Sequence, residues 1–390
     1  MKRFLTILLY LCVFISFLNL NATPEFSLWT GNKCSTCHIN AQGGGLRNEF
    51  GWAFAKDASF LVAKDISLQN LFDLAGTTTN SHFGGLFSLG TDMRFQYIRS
   101  HKTEDAISRI IPMQASIYLS SKISEWLILE GQFNIAKKVF SGQQIWAASL
   151  NIKPFQNFPY IRAGFFQPSI GIKDCDMTSL DRRITSPDGT ESLIAPDFAE
   201  YGAEIVYDNI DLITISAGLF DSKSLSENSL YGEQLSLVNV RGNPSFTSKF
   251  ILYPTWLFDW IPDSYIGSSV LVNGRFILTS MFMGLSLSED LHIYGKAVIS
   301  NIPYIRHTEN YIAGVSYIPF KGIILGIRYE NGLTDLIFSS DYIYKLYSTQ
   351  IVISSKIFIL PYIEIIPEYR MLECEEYRST RWALQMHFYY

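Results

Sequence analysis

Beyond residue 22 this sequence contains no uninterrupted apolar run of the ~18 residues that a membrane-spanning helix needs, although 48% of it is hydrophobic and 15% aromatic. Spanning helices are therefore excluded as the use of that apolar content. The chain also lacks a nucleotide-binding glycine loop, a catalytic-triad pattern and a zincin motif, so no chemistry of those kinds is written in its motifs. A net charge of −5 gives no signal for nucleic acid as a partner. No carboxylate cluster has metal-ligand spacing. Cysteine is scarce, with five in 390 residues.

Two of those cysteines belong to Cys34-Ser35-Thr36-Cys37-His38, a C-x-x-C-H. The spacing puts two thiols and one imidazole on a single turn, which is how haem c is attached. The sulfurs form thioethers with the vinyl groups, and the histidine reaches the iron as proximal ligand. A C-x-x-C also suits a thioredoxin-like pair or half of a zinc site. Zinc needs a second ligand pair at short range, and the next histidine, His82, has no cysteine near it. The thioredoxin reading needs a βαβ pattern, and none is visible. The expected cofactor is one covalent haem c on Cys34 and Cys37, with His38 on the iron.

The first residues point to the same compartment. Met1-Lys2-Arg3 is basic, Phe4 to Leu18 is almost wholly apolar, and Ala22 offers a small residue at a cleavage site. Residues 1–22 read as a secretory signal peptide. The blander reading is an uncleaved anchor, for which the run is shorter than the ~20 residues required. Cys12 lies inside this segment. Haem c is attached outside the cytoplasm, so the signal and the motif support one another.

From about residue 84 to the end, segments of roughly ten residues alternate apolar and polar side chains between clusters of Gly, Asn, Asp, Ser and Pro. Leu89, Thr91, Met93 and Phe95 oppose Gly90, Asp92, Arg94 and Gln96; Ile323, Leu325, Ile327 and Tyr329 oppose Gly326, Arg328 and Glu330. The last segment sets Trp382, Leu384, Met386 and Phe388 against Ala383, Gln385 and His387, and it ends on aromatic Tyr390. Period-two alternation with charge on one side describes a transmembrane β-barrel with an apolar lipid face and a polar lumen. An edge strand of a soluble protein is the alternative for the last segment, but so large an open apolar face would aggregate in water.

About sixteen strands can be counted, an even number as in bacterial single-chain barrels. They begin near residues 86, 110, 126, 144, 158, 199, 210, 234, 265, 278, 291, 310, 322, 344, 358 and 380. Even parity leaves both ends of the chain on the periplasmic side. Long connections should then follow odd-numbered strands, as 174–196 and 225–233 do. The stretch 254–264 falls on the inner side, where Trp256 and Trp260 suit an interfacial aromatic girdle.

Phe26 to Lys33 leading into the C-x-x-C-H, then Gly43-Gly44-Gly45-Leu46-Arg47-Asn48-Glu49-Phe50-Gly51 and Phe54, resembles the start of fused outer-membrane monohaem cytochrome–porins. The resemblance covers the motif region closely and the barrel by pattern. It implies a haem c segment, residues 23–83, ahead of an outer-membrane barrel, residues 84–390, with roles in iron oxidation or extracellular electron transfer. The triple glycine departs from the iron-oxidiser form of the motif. It also implies Cys34 and Cys37 at the attachment positions and His38 at the proximal one.

A segment of about 60 residues is thin for an independent core, so it should lean on the barrel as a plug or a periplasmic cap. Its glycines either let backbone approach the macrocycle closely or form a flexible loop. For the distal ligand, His82 is the first choice because it precedes the first strand, against the reading of an exposed loop histidine. Met93 is the alternative, although alternation aims it at lipid. Asp92, Arg94, Glu130, Glu204, Arg328, Glu330, Glu364, Glu368 and Arg370 fall on the lumenal side, where they either attract cations and tune a haem or brace a water-filled barrel. Cys175 and Cys374 are expected in outer loops and are candidates for a disulfide if their α-carbons approach to ~4.4–6.8 Å.

Three functional classes compete. The first is a redox conduit, moving electrons between an extracellular donor or acceptor, iron among them, and a periplasmic cytochrome or other carrier. The second is a solute-conducting porin whose haem segment is structural or regulatory. The third is a membrane haem enzyme of peroxidase type, which needs an open sixth iron position, whereas fast electron transfer favours six-coordinate iron. In all three the chain lies in the bacterial outer membrane with its N-terminal segment periplasmic or within the lumen. A single haem near one side does not span a core of ~30 Å, so placement within the lumen or a partner must close the gap.

Overall fold

The computed structural model describes residues 26, 28–29, 32–40, 43–61, 79–102, 105–136, 143–155, 157–172, 176–186, 189–195, 197–227, 243–254, 263–339, 342–375 and 378–390. The signal peptide, Trp256 and Trp260 lie outside them, as does Cys175. Sixteen long strands form one closed antiparallel barrel. They are β1 Phe87–Lys102, β2 Asp105–Ser124, β3 Leu127–Asn134, β4 Trp146–Ile152, β5 Tyr160–Phe166, β6 Glu200–Ile210, β7 Ile213–Phe220 and β8 Ser245–Leu252. The second half is β9 Ser264–Asn273, β10 Phe276–Ser286, β11 Leu291–Ile302, β12 Arg306–Phe320, β13 Ile323–Ser339, β14 Tyr342–Leu360, β15 Ile363–Cys374 and β16 Arg378–Tyr389. Each pairs with its sequence neighbours, and β16 closes on β1 through Phe388 opposite Met93 and His387 opposite Arg94. Full closure leaves no edge, which an aqueous or lipid setting would otherwise punish.

Alternation turns the apolar side outward, as the sequence implied. Ile327 is 59% exposed while neighbouring Glu330 is fully buried, and Trp382 is exposed while Gln385 and His387 are buried. An exterior of Leu, Ile, Phe and Met over a lumen of Asp, Glu, Arg and Lys fits a barrel embedded in a bilayer, the outer-membrane architecture. Inside, tyrosines lie across facing glycines. A β-carbon on Gly314 would fall 2.3 Å from the Tyr294 ring, so only glycine lets this ring lie flat against the wall. β2 carries a bulge at Met113, beside Pro112: Arg94 opposes Gln114 and Phe95 opposes Pro112.

The connections after even-numbered strands include the two-residue turns at 125–126, 211–212, 321–322 and 361–362, but the expectation of long connections after odd-numbered strands holds only in part: β9 and β10 are joined by two residues, and only two separate β1 from β2 and β13 from β14. The connection between β5 and β6 is the long one, and it folds inward. It contains a 3₁₀ turn, Leu180–Arg182, and a small hairpin of Arg183–Ser186 with Gly189–Ser192. Glu330 accepts from the Leu180 N–H at 2.7 Å, Thr185 bonds Ser348 at 2.7 Å, and Asn310 donates to the Arg183 carbonyl at 2.6 Å. Infolding was not written in the loop's composition; it follows from polar groups on β12, β13 and β14 that this loop satisfies.

The described residues among 26–61 sit at the end of the barrel that carries the turns at 211–212, 321–322 and 361–362. They contain α1, Cys34–Cys37, and α2, Glu49–Asp57. Trp52 and Ala55 of α2 bury against Ile318, Ile324, Phe358, Tyr362 and Tyr389 of the wall. Phe26 packs edge-on against Phe358, and the Phe60 N–H bonds the Phe358 carbonyl. Of the two alternatives for this segment, the described residues form a plug.

Candidate cofactor site inside the barrel

α1 is a single turn, and its ending is built by one residue. Asn48 donates its side-chain amide to the carbonyls of Thr36 at 2.9 Å and Ser35 at 3.4 Å, and its backbone N–H to Cys37 O at 3.0 Å. The same side chain caps α2 by accepting from the Gly51 N–H at 2.9 Å. With the carbonyls of α1 satisfied from outside, the chain leaves the helix at His38, which is extended at φ −118° and ψ 147° and pairs antiparallel with Arg47. The reversal between them uses Gly43, Gly44 and Gly45, all left-handed with φ between 67° and 77°. The reversal passes close to the first thiol: a β-carbon on Gly43 would lie 3.2 Å from the Cys34 sulfur.

Burial pushes the Cys34 thiol up to about 11 and raises that of Cys37, the nearby Arg47 opposing the second shift. Both are therefore neutral thiols at physiological pH. Cys34, Cys37 and His38 line one lumenal cavity of about 250 Å³ that opens to solvent. Two thiols and an imidazole on one turn, bordered by glycines and facing that space, fit covalent haem c in donor chemistry.

The other expected site residues are placed separately. His82 belongs to a two-residue ladder opposite Phe87 at the rim, and is not among the described residues that line the space. Met93 sits on the outward face of β1, between inward Asp92 and Arg94. Cys374 closes β15 itself and is buried there, rather than lying in the loop after it. The disulfide candidate rests on Cys175, outside the described residues.

His387 was missed as a site residue, although the alternation of β16 placed it inward. It lines the same space as His38, with Nδ1 at 2.8 Å from Glu364 and Nε2 at 3.0 Å from Asp92. The lumenal charges pair with one another: Asp92 with Arg94, Glu130 with Arg162, Glu330 with Arg328, and Glu368 with Arg370. Asp176, from the infolded loop, bonds both Arg328 and Arg370, which against the opposing effect of burial hold its carboxyl well below the usual range. Glu204 accepts from Ser169 at 2.6 Å. These pairs brace the wall and its loop.

Solved structures share this architecture. The outer-membrane channel DcaP of Acinetobacter baumannii superposes with a TM-score of 0.52 at 11% identity, covering 78% of this chain and 97% of that one. OprB of Pseudomonas putida gives 0.52 at 9%, covering 86% and 99%. OmpF of Salmonella typhi, in complex with daunomycin, gives 0.52 at 11%, covering 78% and 97%. At these identities the likeness is one of fold, that of the outer-membrane porins. No family model matches the sequence, and no curated protein is similar to it.

Proposed function

We propose that this chain is an outer-membrane cytochrome–porin: residues 23–83 carry one covalent haem c inside the barrel of residues 84–390 and serve electron transfer across the membrane. The observation that carries this reading is the seating of Cys34, Cys37 and His38 within the lumen, all facing one space. Haem c held there would supply a one-electron ferric/ferrous couple. Cys34 and Cys37 would hold the macrocycle by its edge, His38 would ligate iron, and Asn48 with Gly51 would keep the three on one turn. Lumenal seating would shorten the distance to be crossed: Asn40 and Gly43 line one cavity with Lys249 and Lys296, in the middle of β8 and β11. A periplasmic cytochrome on one side, and iron or another redox partner on the other, are the partners this implies.

A second reading, a solute-conducting porin whose plug is structural or regulatory, is favoured by the porin architecture and the charged, solvent-connected lumen. Intact mass and oxidised and reduced spectra of purified protein, followed by mixing with ferrous iron and with a periplasmic cytochrome, separate the two. A haem-sized mass increment, low-spin bands and rapid exchange support the conduit. A bare polypeptide mass with swelling of sugar-loaded liposomes supports the porin. High-spin iron with peroxide turnover would instead make it a membrane haem enzyme.

A further inference from the structure

Arg47 stands opposite His38 in an isolated antiparallel bridge. Side chains of directly opposed residues in such a pair project to the same side, with β-carbons about 4.5–5.5 Å apart. Arg47 and His38 do line the same lumenal space. The Arg47 guanidinium lies over the ring of Tyr389, 4.7 Å from its centroid, and its carbonyl is fixed by the Asn80 amide at 2.7 Å. Backbone and side chain are thus both held.

Most of the acidic side chains around this space have other partners. Asp92 bonds Arg94 and His387, Glu364 bonds His387, and Glu368 bonds Arg370. Among the described residues, Arg47 makes no ion pair. A guanidinium stacked on an aromatic face keeps its in-plane N–H fork available, and that fork matches a carboxylate with two parallel hydrogen bonds. A half-buried cation so disposed is a prepared carboxylate site.

We infer that Arg47 is the binding residue for a propionate carboxylate of the porphyrin held by Cys34 and Cys37, with Tyr389 as the shelf that aims it. This rests on the haem reading above and adds a site to it. The macrocycle carries two carboxylates that must meet either water or a cation, and Arg47 is the cation directly across from the proximal histidine. Losing it leaves that carboxylate without its positive partner near the iron. The added negative field then favours the ferric form.

The test is a redox titration of the full haem-loaded chain as wild type, Arg47→Lys and Arg47→Gln, with intact mass taken on each. Arg47→Gln should lower the midpoint by about 59 mV, a tenfold change in the one-electron equilibrium. It should also make the midpoint fall with rising pH, as the freed carboxylate ionises. The propionate bands in the resonance Raman spectrum should shift with it. Arg47→Lys keeps the charge without the fork and should fall between the two. Equal midpoints and unchanged propionate bands in haem-loaded wild type and Arg47→Gln overturn the site while leaving the haem reading intact. A wild-type mass without macrocycle overturns the haem reading itself. If Arg47→Gln is not recovered with haem, Tyr389→Leu decides: it leaves the cation but removes its shelf, and an unshifted propionate spectrum there overturns the site.

Discussion

Gly51 lies so close beneath Cys37 that a β-carbon added to it would fall 2.1 Å from the Cys37 carbonyl oxygen and 2.9 Å from its α-carbon. The first turn of α2 thus packs backbone to backbone on the C-x-x-C-H turn. Backbone cannot rotate away as a long side chain would. Gly51→Ala should therefore displace α2 from α1 at a cost of at least the ~1–3 kcal/mol of an overpacked core site. Haem incorporation, read by intact mass, should drop severalfold while the barrel keeps its heat-modifiable migration on gels. Normal incorporation in Gly51→Ala would show that the contact is not needed to present the cysteines.

Asn48 joins the same two elements through its side chain. Asn48→Ala removes a helix cap, about 1 kcal/mol, and takes the side-chain donor from two part-buried carbonyls of α1. Asn48→Asp keeps the acceptor for the Gly51 N–H but loses the donor, so it should be intermediate. Limited proteolysis of residues 26–61 in the membrane-inserted protein measures this directly. Cleavage should rise in the order wild type, Asp, Ala, and an equal rate for all three would count against the clamp.

The sixteen strands were legible because lipid outside and water inside impose opposite demands on alternate residues. Ile327 and Glu330 cannot exchange places in either solvent. The single turn of the C-x-x-C-H was legible because its residues are adjacent in sequence. What the sequence could not show depends on contacts between distant residues. Leu180 meets Glu330 from 150 positions away, so the infolding of its loop has no local signature. His387 was visible as an inward residue, but its partners Asp92 and Glu364 come from the two strands flanking β16, and register decides that. Asn48 stood in the sequence only as one residue of the block after the motif, and its role emerged only once α1 and α2 were seen to share it.

Burial around Cys34 gives the unmodified protein a pH signature. Its thiol is raised from 9.0 to about 11, so the thiolate that reacts with alkylating reagents is scarce at neutral pH. In protein made without haem attachment, labelling of Cys34 by iodoacetamide should stay slow at pH 8 and accelerate only as pH approaches 11. Linkage fixes the sign for stability. The unfolded thiol ionises near 9 and the folded one does not, so docking of the segment is unaffected below pH 9 and weakens as pH rises toward 11. Rapid labelling of Cys34 at pH 8 would mean that the thiol is not buried in the apoprotein.

Asp176 ties the infolded loop to Arg328 and Arg370. Because those cations, working against burial, keep its carboxylate ionised, the loop should remain docked as pH falls through the ordinary aspartate value of 3.8. Asp176→Asn leaves two arginines in the lumen without this shared partner, a loss of a few kcal/mol for a buried pair. Single-channel recording should show a larger or noisier conductance in the variant with the barrel otherwise intact. A quiet, unchanged trace would show that the remaining bonds of the loop suffice.

Lys33, directly before Cys34, is the latch between plug and wall. Its ammonium donates to the carbonyls of Ile210 at 2.6 Å, Ile213 at 3.2 Å and Asp208 at 3.3 Å, and to the Asp208 carboxylate at 3.3 Å. These acceptors belong to the β6–β7 hairpin. Hydrogen bonds to a charged group contribute about 1.5–3 kcal/mol each, so Lys33→Met should raise the undocked fraction of the plug by about tenfold or more. If the lumen can pass solutes, undocking opens it, and sugar-driven swelling of proteoliposomes should rise with protease access to residues 26–61. Protease access without swelling would mean that the infolded loop alone closes the lumen. Neither effect would mean that the aromatic packing of Trp52 and Phe26 holds the plug without Lys33.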